Sequence, residues 1–417
     1  LAQPLTLPCG LALPNRILKA AMAEGLADLS TCDVSPALVR LYERWADGGA
    51  GTLVTGNITV RRGPADVPMV CLDERTDVDA LAGWAAAVHM RDVRLLGQVV
   101  HQGRQATILS ARHPVAPSAL PPVRGNRLFG SSRALRPDEV VDLVERFAAA
   151  AALLERAGFD GVELHAAHGY LIGQFLSPAT NLRTDEWGGD LSGRSRFLLE
   201  IVRRVRDRVG AGFAVAVKIN ASDFQPGGFD VEDSAHVVGL LGAEGVDLVE
   251  ISGGTYESRS GALGVGADVP GATRDSYFAG FAPRLRQVTD VPLALTGGLR
   301  SREVMEGLLR EGVVDVIGLG RPLVEQPEAP HGLLAGTLDR IEVVGPRSTA
   351  AQNQLLWYMA QFQRLGNGQD FDAHLSRNSP YRHLAMTTLA QLVVTGQHAL
   401  GGLVGRTGIP RVLGLGR

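Results

Sequence analysis

Eight short runs that are apolar almost throughout recur along the first 320 positions, and no other feature constrains the fold as tightly. They occupy 15–22 (NRILKAAM), 51–56, 94–100 (RLLGQVV), 161–166 (GVELHA), 213–220 (FAVAVKIN), 246–253, 292–298 (PLALTGG) and 314–320 (VDVIGLG). A strand with one wetted face alternates apolar with polar; runs that do not alternate belong to parallel strands buried on both faces. Helical periodicity fills the gaps between them. One helix spans 35–47, capped by Ser35 with Pro36 at its first position, and others span 77–90, 136–158, 192–209, 231–243, 275–289 and 301–311. The third carries Pro137, Asp138 and Glu139 in its first turn, and Ser192 is the expected cap of the fourth. Eight strands alternating with helices predict an α/β chain closed into a (β/α)8 TIM barrel. The rival, a doubly wound open sheet, would be signalled by GxGxxG entering a helix after the first strand, and that motif is missing.

After about position 345 the strand–helix rhythm stops. This divides the chain into a barrel over 1–345 and a helical extension over 346–417, with helices at 350–365 and 385–400 packing on the barrel or on a neighbouring subunit. Trp357, Tyr358, Phe362 and Arg364 of the extension cap the barrel's site, reach that neighbour, or belong to helices that merely cover the barrel's outside. Between strands three and four, 101–135 is too long for an ordinary connection and reads as a lid or binding segment; 254–271 is a second flexible stretch.

The formal charge of −3 and pI near 6.4 offer no basic surface for nucleic acid or an anionic membrane. Cys9, Cys32 and Cys71 are scattered, without a CxxC pair, so neither a disulfide framework nor a zinc or iron–sulfur site is expected, and a cytoplasmic location is the simplest expectation. The start of the sequence lacks the basic-then-apolar pattern of a secretory signal. The uncharged stretch 384–404 is too polar for a convincing membrane span. The sequence contains two lysines, Lys19 and Lys218, both in predicted strands.

In such a barrel the active face is built by the strand C-terminal ends and the loops after them. Gly297 and Gly298 after strand seven, with Gly320 and Arg321 after strand eight, form a pair of loops suited to cradling phosphate. Any one of these glycines alone reads as a turn residue. Lys218, ending strand five, is placed to stabilise negative charge on a bound ring. A lysine snorkelling from the strand end is the bland alternative. Lys19 alternates to the other face and is expected to meet the helices or an acid.

Gln98 carries the donors and acceptor needed at an imide-like ring edge. His165 and His168 stand three apart at a strand end, which is not the helical HExxH spacing of a metal site. Beside Tyr170 they suggest two N–H donors holding an oxygen and a phenol supplying a proton, although each also reads singly as an ordinary buried residue.

These residues lie in motifs that resemble the Old Yellow Enzyme family of FMN-dependent NAD(P)H oxidoreductases and ene-reductases. The motifs are LPNRILKAAM, GQVVHQGR, GVELHAAHGYLIGQFLSPATNLRTDEWGGDLSGRSRF, VAVKIN, ALTGG and IGLGRPLVEQP, spread over about 7–327. The resemblance implies that Ala20, Ala21, Met22 and Gly56 flank a tightly bound, non-covalent FMN. It places Gln98 at the pyrimidine edge, Lys218 near N1 and O2, and Gly297, Gly298, Gly320 and Arg321 at the phosphate. His165 and His168 would grip the activating oxygen of a small alkene substrate, with His165 also bordering the cofactor, and Tyr170 would donate the proton. It further implies hydride transfer from NAD(P)H through FMN to enones, enals, maleimides or nitroalkenes. NAD(P)H oxidation or demethylation on the same face remains open, as does a phosphate-binding lyase or aldolase using Lys218 as a Schiff base. A homo-oligomer is likewise open.

Two departures stand out. Ala23 occupies a position where relatives often carry Thr or Cys near flavin O4, and Lys218 one where many carry Arg. No cysteine cluster follows the barrel, which disfavours electron transfer through an iron–sulfur centre.

Overall fold

A computed structural model describes residues 1–63, 67–108, 110–122, 129–255, 276–346 and 351–375. Eight strands, β1 (Ile17–Lys19), β2 (Thr52–Val54), β3 (Arg94–Val100), β4 (Gly161–Ala166), β5 (Ala214–Asn220), β6 (Leu248–Ser252), β7 (Leu293–Thr296) and β8 (Val316–Leu319), pair in parallel with their neighbours. β8 pairs β1 and β2 bridges β1 and β3, so the sheet closes into a barrel. Six of the ladders are shorter than their apolar runs, whose outer residues leave the sheet for the adjoining loops; β3 and β4 span theirs completely.

Around it lie α1 (Pro36–Asp47), α2 (Val78–His89), α3 (Pro137–Arg156), α4 (Leu171–Leu176), α5 (Leu191–Arg206), α6 (Val231–Leu241), α7 (Ala282–Arg286) and α8 (Arg302–Arg310). Three further helices follow, α9 (Pro322–Glu325), α10 (Ala329–Ala335) and α11 (Ala351–Gly366). Ser35, Asp77 and Ser301 cap α1, α2 and α8 through their side chains. The expected Ser192 cap of α5 is corrected: Asp190 accepts from the Gly193 amide, placing the start of the helix one residue earlier. The helix expected over 275–289 is only α7, preceded by a 3-10 turn at Ala279–Phe281; Pro283, which has no amide hydrogen, falls at the start of α7. The stretch 101–135 contains a 3-10 turn, Gly103–Gln105, and a small parallel pair, Val115–Ala116 with Arg133–Ala134. Of the second flexible stretch, 256–271 lies outside the described residues, as does the helix expected over 385–400. Among the described residues no helix is long and apolar enough to cross a membrane; 384–404 lies outside them.

Two cores result. One fills the space between barrel and helices, and the other is the lower barrel interior, where Leu18, Val54, Leu96, Ala216, Leu248, Ala294 and Val316 meet Leu7 and Leu13 of an N-terminal hairpin. The base is closed by a device used three times. Asp160, Asp247 and Asp315, ahead of β4, β6 and β8, each donate a backbone amide to the preceding strand, at Leu95 O (2.9 Å), Val215 O (2.8 Å) and Leu293 O (2.7 Å). Each carboxylate accepts the amide of that same residue, at 2.7, 2.8 and 2.9 Å. Each also meets a side chain from the end of the helix that leads into that preceding strand: His89 of α2, Arg206 of α5 and Arg286 of α7.

The extension returns to the barrel through α11, which packs on α1. Arg40 Nε donates to Gly366 O at 2.8 Å, and Phe362 meets Trp45 edge-on with ring centroids 6.0 Å apart. Trp357 is buried against Tyr358 and Phe371, while Arg364 bonds Asp370 O.

Candidate active site

The strand C-terminal ends open into one cavity of about 440 Å³. Ala20, Ala21 and Met22 after β1 line it, with Gln98 of β3, His165, His168 and Tyr170 of β4 and its loop, and Lys218 of β5. Gly297 and Gly298 after β7 and Gly320 and Arg321 after β8 complete the predicted set. Gly56 is the exception. It lies outside this lining, its amide donating to Glu24 Oε1 (3.1 Å) and Tyr42 Oη (2.9 Å), and a Cβ there would fall 1.9 Å from Glu24 Oε2 and 2.1 Å from Met22 O.

Behind that wall sits Lys19, on the face of β1 turned to the helices. Its ammonium donates to Val54 O (2.8 Å) and Tyr42 Oη (3.1 Å), pairs with Glu24 (3.4 Å) and lies 4.2 Å from the centre of the Trp45 ring. Burial lowers its pKa to about 8 although Glu24 opposes the shift. Burial and Glu24 hold the Tyr42 phenol well above its usual value.

The histidines form an ordered chain. His165 Nδ1 accepts the Ala167 amide at 3.2 Å, so a neutral ring carries its hydrogen on Nε2, which faces His168 Nδ1 at 3.3 Å; His168 Nε2 then donates to Ser252 Oγ at 2.7 Å. His168 adopts a left-handed backbone (φ 60°), held by its amide's bond to Asn220 Oδ1 at 3.1 Å. Burial, then His168 and Lys218, push His165 well below the ordinary imidazole value; burial and Lys218 bring His168 down to about 3. Both rings are therefore neutral donors. Tyr170 caps α4, lays its ring edge-on to His165 with centroids 4.8 Å apart, and its hydroxyl lies 3.4 Å from Asn57 Nδ2.

Lys218 Nζ donates to Glu250 Oε1 at 2.6 Å. Burial alone would lower its pKa, but the acidic neighbours, Glu250 foremost, outweigh burial and hold it above the usual value. An ammonium so held is a poor Schiff-base nucleophile. At the far end, Gly297 (φ 134°) and Gly298 (φ 82°) take backbone angles that favour glycine, and Cβ atoms there would meet the Phe278 ring at 2.9 Å and the Tyr277 ring at 3.1 Å. Arg321 Nη1 lies 3.4 Å from Gln354 Oε1 of α11. Glu325 accepts from the amides of Val344 (2.7 Å) and Gly345 (3.0 Å) and from Tyr358 Oη (2.9 Å), fixing a wall to which Tyr358 and Phe362 contribute.

Among the described residues the lining holds Lys218, Arg300 and Arg321 and no carboxylate, above a floor of Ala20, Ala21 and Met22. An anionic ligand with a flat apolar body fits that donor set, and FMN is such a ligand. Arg300, Asn57, Tyr277, Phe278 and Gln354 were not among the residues expected from sequence. Each lies in a loop or extension whose path an apolar run does not reveal.

Fold and site together define a flavin-dependent oxidoreductase built on a TIM barrel. The NADH:flavin oxidoreductase / NADH oxidase family matches residues 1–337, and the chain belongs to it, within the Old Yellow Enzyme group. NADH-dependent flavin oxidoreductase iccE of Talaromyces variabilis is 38% identical over 355 residues, covering 79% of this chain and 85% of that protein. The old yellow enzyme homologue of Zymomonas mobilis superposes with a TM-score of 0.70 at 26% identity, over 82% of this chain and 94% of that one. Morphinone reductase in complex with tetrahydroNAD gives 0.68 at 26% identity, over 82% of this chain and 92% of that one. The cofactor is FMN and the reductant NAD(P)H.

Proposed function

We propose that this oxidoreductase reduces carbon–carbon double bonds conjugated to a carbonyl or nitro group. One observation carries the reading: two neutral imidazoles and a phenol stand together in the lining of a cavity that has an apolar floor and a cationic far end. When bound, FMN supplies the hydride chemistry, taking hydride from NAD(P)H and giving it to the alkene. His165 Nε2 and His168 Nε2 are the donors for the substrate's activating oxygen, each giving up its present acceptor, His168 Nδ1 and Ser252 Oγ respectively. The 3.3 Å contact between the rings is long for a hydrogen bond, so His165 exchanges it for a substrate oxygen at little cost. Tyr170 holds a proton at Oη, oriented by Asn57, for the carbon next to the activating group.

At the cofactor, Gln98 serves the pyrimidine edge and Lys218 the charge beside it, while Arg321 with the Gly297, Gly298 and Gly320 backbone takes the phosphate; Ala20, Ala21 and Met22 pack on the ring. Gly56 supports this wall from behind through Glu24 and Tyr42. The barrel is assigned to 1–345 and the appended unit to 346–417, α11 walling the cavity from the barrel's own chain. Stopped-flow kinetics tests the reading: Tyr170→Phe should slow oxidation of the reduced holoenzyme by cyclohexenone by about 100-fold or more while leaving its reduction by NADH within about twofold. Equal rates in both half-reactions would remove Tyr170 from the proton step.

A further inference from the structure

Two carboxyl groups inside the barrel take no part in the reading above. Glu163 stands two residues before His165 on β4, and Glu250 two before Ser252 on β6, so each points to the barrel axis one pleat beneath a residue that lines the cavity. Both are fully buried. Glu163 Oε2 accepts from Gln98 Nε2 at 2.5 Å, and Glu250 Oε1 from Lys218 Nζ at 2.6 Å. The remaining oxygens, Glu163 Oε1 and Glu250 Oε2, have no donor among the described residues, and the two carboxyls lie within hydrogen-bonding reach of each other. Thr296 of β7, which lines the cavity above, interacts with Glu250.

This layer holds one ammonium and two carboxyls. His165 and His168 above it are neutral, and Lys19 on the outer face of β1 is matched by Glu24. A second buried anion would have to share Lys218 with Glu250, since Lys19, which also feels Glu163, is engaged by Glu24; and two carboxylates in contact repel. One proton between the two orphaned oxygens removes the excess charge and satisfies both atoms. Burial and the charge of Glu250 push the Glu163 carboxyl well above its usual range, whereas Lys218 outweighs burial at Glu250 and keeps that one low.

We propose that Glu163 and Glu250 share a single proton, with Glu163 the neutral acid, so that the layer beneath the flavin is electrically neutral and Lys218 presents a compensated charge to the ring. The two are positioning residues, acting through Gln98 and Lys218. Reduction adds negative charge to a flavin, so the net charge of this layer sets its reduction equilibrium. Either carboxyl alone can supply the one compensating anion. The inference rests on the family's cofactor and not on the alkene reading.

The test is the two-electron potential of FMN in the holoenzyme, read beside infrared difference spectra of protein labelled with [13C]glutamate. Glu163→Gln exchanges a neutral acid for a neutral amide and should leave the reduction equilibrium within about twofold of the parent, while abolishing a protonated-glutamate band. In Glu250→Gln the remaining Glu163 ionises against Lys218: the band again disappears and the equilibrium stays within about threefold. Only the double variant leaves Lys218 uncompensated, favouring reduction by about tenfold or more, which is roughly 30 mV for a two-electron couple. A tenfold shift from Glu163→Gln alone, or a parent spectrum without the band, overturns the proposal. Those two measurements decide it even if the double variant does not fold.

Discussion

Replacing Lys19 by methionine isolates the cost of keeping a cation inside the wall behind the flavin site. The parent ammonium gives up hydration for Val54 O, Tyr42 Oη and Glu24, and its pKa falls from the usual 10.5 to about 8. At about 1.4 kcal/mol per pH unit, burying it charged costs about 3 kcal/mol at neutral pH. Because the folded value is the lower one, the unfolded chain binds more protons between pH 8 and 10.5, so this contribution to stability grows as pH rises through that window and is lost as it falls. Lys19→Met abolishes the titration and strands Glu24, which keeps only the Tyr42 hydroxyl (2.5 Å) and the Gly56 amide (3.1 Å). The variant should be less stable by about 3 kcal/mol at pH 7, the usual effect of breaking a buried pair. Its deficit should widen by about 2 kcal/mol between pH 7 and 9.5. Guanidinium unfolding of both proteins at fixed FMN, at half-unit pH steps, measures this; stopping at pH 9.5 keeps the Tyr42 phenol from ionising. A deficit that stays flat or narrows with pH would refute the claim that desolvation dominates at Lys19.

Asp247→Ala leaves the buried Val215 amide without an acceptor and Arg206 without its carboxylate, and should lower unfolding stability by about 2–4 kcal/mol with the flavin spectrum unchanged. Since His168 takes up a proton only at about pH 3, binding of a saturated cyclic ketone, followed by flavin absorbance, should be constant from pH 7 to 5. The folded value lies below the ordinary 6.5, so the stability that His168 contributes is present above pH 6.5 and is lost as pH falls towards 3. Arg321→Leu should weaken FMN retention by about 10–100-fold, measured by fluorescence titration of the apoprotein, through loss of a charged contact to phosphate.

Strand-level reading succeeded where residues face one environment. The runs at 94–100 and 161–166 are strands from end to end, because both faces of β3 and β4 are buried. It failed where the environment changes within a strand. Glu163 and Glu250 each interrupt an apolar run in its middle, and the sequence does not say what they meet; each is buried in the barrel, held by residues on other strands. The repeated aspartate clamp was equally hidden, because its partners, a backbone amide and a histidine or arginine at a helix end, leave no fixed spacing in the sequence. Helix α4 has only six residues, too few for periodicity to register. At the rim the strand ends were legible, but Gly56 shows the limit: position in the chain identified a residue of the wall, and only the fold shows that its amide turns away from the cavity.

Both lysines are buried, Lys19 at 0% exposure and Lys218 at 3%. Every other cationic side chain is arginine or histidine, and guanidinium groups keep their charge beyond pH 12. Reagents that attack ε-amines, such as succinimidyl esters or formaldehyde with a hydride donor, therefore find neither lysine on the intact molecule. Modification of either lysine becomes a clock for breathing of the barrel, one label reporting the helical shell and the other the floor of the flavin site.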